Sequence, residues 1–171
     1  MGYRRTDDRV RTWGVNPVVQ EEAMNDKAIR RFLAAIGIFY LLNFLGLLPA
    51  RSAAVLMLMY PSVANGFQGE LMMLLQDAWL VVGMQLGAVG VLALWALREP
   101  IRYAGIIPVV VLIEIFDAMW DVYSIVLNGE TLWFGLTTLA IHLVWIIWGI
   151  SLWRQVGDRL NQAHAVDAEK N

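Results

Sequence analysis

The chain has 171 residues, of which 58% are hydrophobic and 16% charged, and a soluble domain of this length needs more polar residues to cover its surface. A formal net charge of −2 gives no electrostatic basis for a nucleic-acid partner. There is no cysteine, which excludes thiol–disulfide exchange, thiolate metal sites and haem–thiolate ligation.

Residues 1–31 read as a polar cytoplasmic arm. Within it, Val18 to Arg31 has the spacing of an amphipathic helix, with Met24, Ala28, Ile29 and Phe32 near one face. Lys27, Arg30 and Arg31 at its end suit anionic lipid headgroups, as in an ordinary juxtamembrane anchor. The first apolar run, Phe32–Ala50, is longer than the core of a signal peptide and follows a long polar stretch, so it predicts a retained helix. Ser52–Gln76 carries two shorter apolar patches, Ala53–Tyr60 and Leu71–Leu75. Neither can span, and with breaks at Pro61 and Gly66 the segment predicts an interfacial or re-entrant helical hairpin outside the membrane.

Three further runs follow: Ala78–Leu97, Tyr103–Leu127 and Leu132–Trp153. Each reaches the roughly 20 helical residues that cross a bilayer core, and only a helix satisfies its own backbone in lipid. Arg98-Glu99-Pro100 and Asn128-Gly129-Glu130 break them apart. Pro108, inside the third run, frees the Ala104 carbonyl and predicts a kink. The expected fold is an all-α membrane protein with four transmembrane helices over residues 32–153 and a cytoplasmic tail over 154–171. Twelve basic residues fall on the side of the two termini and Arg51 alone on the other. The positive-inside rule then places both termini in the cytoplasm and the chain in the cytoplasmic membrane. Trp79 and Trp133 at the predicted outer ends, with Trp95 and Trp153 at the inner ends, fit an aromatic belt.

The third run contains Ile-Glu-Ile-Phe-Asp-Ala-Met-Trp-Asp, Ile113 to Asp121. At 100° per residue its acids Glu114, Asp117 and Asp121 fall within about 60° of one another and form one stripe. Glu114 is expected near mid-bilayer, with Asp121 roughly 10 Å further out. The midpoint of the fourth helix, which runs back, is His142, so Glu114 and His142 are expected at one level as a facing pair. Thr138 lies one turn from His142, and Asn43 and Gln85 sit slightly outward of their own midpoints. Charges at membrane depth cost several kcal/mol unless paired or hydrated, so these groups should face inward. The expectation is an acidic pocket opening outward, floored by Glu114 and His142, with Asp121 near its mouth. His164 lies in the tail, away from it.

Gly83, Gly87 and Gly90 share one face of the second helix, a small-residue pattern that admits a close neighbour. Gln85 is about 160° from Gly83. One of the two faces therefore meets the pocket and the other a neighbour, which raises the prospect of a homo-oligomer or a larger membrane complex through the glycines.

Phe39-Tyr40, Asn43, Asp77-Ala78-Trp79, Glu114, Asp121, Gly129 and His142, taken in order, make the chain resemble the BphX-like family. These are small integral membrane proteins encoded in bacterial aromatic-degradation clusters. The resemblance covers about residues 32 to 153 and implies a bacterial multi-pass membrane protein rather than a particular reaction.

Three functions fit these residues. The first is an accessory or structural subunit, with membrane lipids and other membrane proteins as partners and a pocket open to a ligand. The second is proton- or cation-coupled transport through the acids and His142. Against it, Ala104 to Ile113 carries nothing to pass a proton inward, and no internal repeat supports alternating access. The third is a membrane enzyme or a divalent-metal site built from Glu114, Asp117, Asp121 and His142. A single histidine is thin for zinc, iron or copper, the Glu-x-x-His spacing of di-iron bundles is absent, and no cofactor is specified.

Overall fold

The computed structural model describes residues 17–61 and 69–169, with side chains described over 26–61 and 69–158. Among them are five α-helices and no strand: α1 (Pro17–Gly46), α2 (Pro49–Met59), α3 (Glu70–Trp95), α4 (Ile106–Leu127) and α5 (Leu132–Glu169). Three stretches are long and apolar enough to cross a membrane: Asp26–Gly46, Glu70–Arg98 and Leu132–Asp158. Two helices do not join them: α2, with 11 residues, and α4, whose 22 residues include the three acids. Large apolar side chains cover the outside, with Met73, Leu74, Val126, Leu127 and Ile147 all between 62% and 70% exposed. A bundle in water would hide such surface, whereas lipid accepts it.

α1 is one unbroken helix of 30 residues, so the expected arm helix and first span are continuous. Ile29 and Phe32, expected on one face, are buried in the core. Arg30 stays exposed at the surface, where it pairs with Asp26 at 2.9 Å and donates to the Leu97 carbonyl at 2.6 Å. Residues 1–16 and the side chain of Met24 lie outside the described residues, as does the expected break at Gly66.

The hairpin expected over Ser52–Gln76 divides differently. Pro49, in the first helical turn, starts α2. Tyr60, pushed out of helical geometry ahead of Pro61, ends it at φ −129° and ψ 73°. The second patch, Leu71–Leu75, belongs to α3, which begins at Glu70 and runs for 26 residues. Asp77, just ahead of the span expected from Ala78, is thus an exposed residue within that helix. Pro108 also needs correction. α4 starts at Ile106, so the proline sits in the first turn, where backbone N–H groups have no helical acceptor. Ile107 N–H takes the Ala104 carbonyl at 2.9 Å, which removes the cause of the expected kink.

The helices form two antiparallel pairs, α1 with α3 and α4 with α5. Glycines set the spacing of the first pair. A Cβ built on Gly90 would lie 2.9 Å from the Gly37 carbonyl, one on Gly83 3.0 Å from Leu47 Cβ, and one on Gly87 3.1 Å from Phe44 Cγ. The glycine face is therefore filled by α1 of the same chain and leaves no room there for a second copy. Gln85, on the opposite face, is exposed.

At the end of the bundle nearer the termini the two pairs meet in a dry core. Phe32, Leu33 and Ile36 of α1 are fully buried with Ala93 of α3 and Ile107 and Val110 of α4. Phe32 meets the Trp145 and Trp148 rings of α5 edge-on, with centroids 6.0 and 5.3 Å away. Beyond this core the pairs separate.

Candidate functional site

The space between the separated pairs is a cavity of about 500 Å³. α1 contributes Phe39, Tyr40 and Asn43; α3 contributes Trp79, Val82 and Leu86; α2 closes one side with Val55 and Met59. The polar wall comes from α4 and α5, which bring Asp117, Asp121, Thr138 and His142.

Glu114 lies at the base of this wall, fully buried. Its Oε2 is 2.7 Å from His142 Nδ1, so the two residues expected at one level on successive helices are in contact. The other ring nitrogen, Nε2, stands 3.6 Å from Asp121 Oδ2. Seven residues separate Glu114 from Asp121, two helical turns, so the imidazole bridges both from the facing helix. This geometry carries a protonation constraint. A neutral imidazole has one N–H, and its bare nitrogen would then face a carboxylate oxygen lone pair.

Asp117 lies between these acids along the helix and lines the cavity. A carboxylate oxygen of Asp117, one of Glu114 and a nitrogen of His142 all fall within 4.8 Å of one another, the one grouping with metal-ligand character among the described residues. Asp117 itself makes no hydrogen bond and no ion pair among them. Thr138 sits beside Asp121 and turns its hydroxyl back to the carbonyls of Phe134 at 3.2 Å and Gly135 at 3.0 Å. Asn43 donates its amide to the Phe39 carbonyl at 3.0 Å. Gln85 is not brought to the cavity, and Gly83, Gly87 and Gly90 serve helix packing behind it.

Several buried polar atoms lack a partner: the Tyr40 hydroxyl, Glu114 Oε1 and Asp121 Oδ2. Tyr40, 1% exposed, escaped the sequence reading as a pocket residue because a tyrosine in an apolar run reads as core or interface. A second polar group was missed as well. Tyr60 shares a hydrogen bond with Ser124, whose neighbour Glu130 is buried with both carboxylate oxygens unpartnered. Burial pushes the Glu130 carboxyl above its ordinary range, the Ser124 hydroxyl opposes the shift and Asp121 adds to it. Burial likewise raises Tyr60, against the Ser124 hydrogen bond. Gly129, at φ 70°, makes the turn that brings Glu130 N–H back to the Ser124 carbonyl at 3.2 Å. In sequence Glu130 looks like a solvated turn residue, and only its return onto α4 buries it.

A BphX-like family model matches residues 26–158 of the chain, slightly more than the stretch on which the resemblance rested. Two uncharacterised BphX-like proteins, from Burkholderia cepacia and from Paraburkholderia xenovorans (strain LB400), are each 50% identical to it over 133 residues, covering 78% of this chain and 96% of the relative. No solved structure matches. With a family model spanning both helix pairs and relatives at that identity, the chain belongs to the BphX-like family.

Proposed function

We propose that this chain crosses the cytoplasmic membrane four times, both termini inside, and acts as an accessory subunit. Its outer-half cavity binds a small, mostly apolar molecule with one polar end. The observation that carries the reading is the fully buried Glu114, paired with His142 at the base of a cavity of about 500 Å³ that Asp117, Asp121 and Thr138 line on one side and mainly aromatic and aliphatic side chains line on the others. That volume is in the range of small-molecule sites, and a few placed polar groups in an apolar pocket are what orient a ligand. For α4 as the remaining span, third in chain order, 22 residues supply about 33 Å, and Glu114 and Asp121 turn into the protein, away from lipid.

Two features favour binding over conduction or chemistry. Beneath Glu114 the packed layer of Ile36, Ile107 and Val110 offers no hydrated path inward. Both nitrogens of His142 already face carboxylates, so the imidazole is not free to act as a general base. A divalent-metal site is the second reading, favoured by the Glu114, Asp117 and His142 grouping. It requires His142 to turn one nitrogen away from its carboxylate.

The absence of native cysteine makes single-cysteine mapping clean. In intact cells, an impermeant maleimide should label Asn128→Cys and spare Arg98→Cys and Arg154→Cys until the membrane is opened; the opposite pattern would overturn the topology. Binding is tested by thermal shifts of the purified protein with neutral, cationic and anionic amphiphiles. Val82→Trp, which fills the cavity, should abolish any shift. Shifts that persist in that variant place binding elsewhere, and a shift with zinc or manganese alone would favour the metal.

A further inference from the structure

We infer that the cavity is built for an organic cation: an amine or quaternary ammonium on an aromatic or aliphatic body, its charge met by Asp117. This rests on the proposal that the cavity binds a small molecule, and it names the chemistry of that molecule.

The charges of the site do not balance within the protein. His142 is shared between Glu114 and Asp121, at 2.7 and 3.6 Å. The one basic side chain on the wall thus serves two acids at closer range, and Asp117, within 4.8 Å of it, has no partner of its own. Its carboxylate faces the cavity and makes no ion pair among the described residues, and no lysine or arginine lines the wall. An ionised group in such a place needs a counter-charge or a proton. A cationic ligand supplies the first.

The walls point the same way. Phe39, Tyr40, Trp79, Trp120 and Phe134 surround the space, and aromatic faces attract ammonium groups while accepting an apolar body. The Tyr40 hydroxyl and Asp121 Oδ2 lie on the wall, both on residues more than nine-tenths buried and both without a hydrogen bond, Oδ2 standing 3.6 Å from His142 Nε2. Each offers an acceptor to an ammonium N–H. An anion would meet three carboxylates, and a neutral ligand would leave Asp117 uncompensated. A metal would need a nitrogen lone pair that His142 turns toward an acid.

The test compares two probes of the same shape on the detergent-purified full chain: benzyltrimethylammonium and its uncharged carbon isostere, neopentylbenzene. Quenching of tryptophan fluorescence reports binding, since Trp79 and Trp120 line the cavity. The expected result is that the cation binds at least tenfold more tightly than the isostere. Asp117→Asn should erase that preference, and Asp117→Glu should keep most of it, which separates lost charge from lost fold. Equal binding of both probes would overturn the cation inference and leave the binding cavity standing. Binding of neither would overturn both. Displacement of the cation by zinc, with zinc binding lost in His142→Ala, would overturn the inference in favour of a metal.

Discussion

His142 on α5 holds Nδ1 2.7 Å from Glu114 Oε2 on α4, and the glutamate is wholly buried. The contact fixes the register of the α4–α5 hairpin from its interior. Truncating one partner of a buried pair strands the other. His142→Ala should therefore destabilise the protein by about 3–5 kcal/mol. Glu114→Gln keeps an acceptor for the ring and should cost less, about 1–3 kcal/mol. In a double-mutant cycle by denaturant unfolding in detergent, the combined loss should fall short of the sum by at least about 0.5 kcal/mol. Strict additivity would mean that the contact couples nothing.

Gly90 sits where α1 and α3 cross most closely. An added Cβ would fall 2.9 Å from the Gly37 carbonyl and 3.1 Å from Tyr40 Cβ, and backbone cannot yield as a flexible side-chain end can. Gly90→Ala should cost about 1–3 kcal/mol by overpacking. Gly46, with open space around its Cβ position, is the control: Gly46→Ala should be neutral or slightly stabilising. The size of the purified particle should not change in Gly90→Ala, because the glycine face is internal. A shift in particle size without loss of stability would place a second copy on that face.

Much of this arrangement was legible in residue spacing. Three acids on one stripe and a histidine at the same level of the next helix follow from the helical rise alone. Which face of α3 turns inward did not follow. Periodicity gives the angle between Gly83 and Gln85 but not the direction of either, and only the neighbour that fills the glycine face decides it. The long start of α3 was readable in principle, since no glycine or proline lies between Gly69 and Gly83. Counting the apolar run from Ala78 stopped at Asp77, which a helix carries as a single exposed charge. Glu130 was beyond reach, because its burial depends on a turn that folds it back onto Ser124.

Burial raises the Glu130 carboxyl, so the folded chain holds that proton more tightly than the unfolded one. The contribution of Glu130 to stability is then best below its ordinary value of 4.5 and is lost as pH rises from there through the raised value. Glu130→Gln removes the ionisation. Relative to wild type, it should gain stability as pH rises through that window and unfold at higher temperature near neutrality. Thermal unfolding of both proteins across roughly pH 4 to 8 checks this. A wild type that gains on the variant with rising pH would show that Glu130 finds a cationic partner.

α2 is tied to the turn between α4 and α5 at its last residues. Thr131 N–H donates to the Met59 carbonyl at 2.8 Å, and its hydroxyl reaches the Leu58 and Met59 carbonyls at 3.0 Å each. These are carbonyls that a helix end leaves without internal donors. Tyr60 adds its hydrogen bond to Ser124. Because α2 supplies Val55 and Met59 to the cavity wall, this tie controls one side of the site. Thr131→Val keeps the shape and the backbone donor but loses the hydroxyl, and Ser124→Ala frees Tyr60. Each should cost about 1 kcal/mol. Together they should speed amide exchange over Pro49–Met59 by roughly tenfold or more while leaving the α1 core unchanged. Unaltered exchange in the double variant would assign the hold on α2 to the buried Leu56 and Met59 side chains alone.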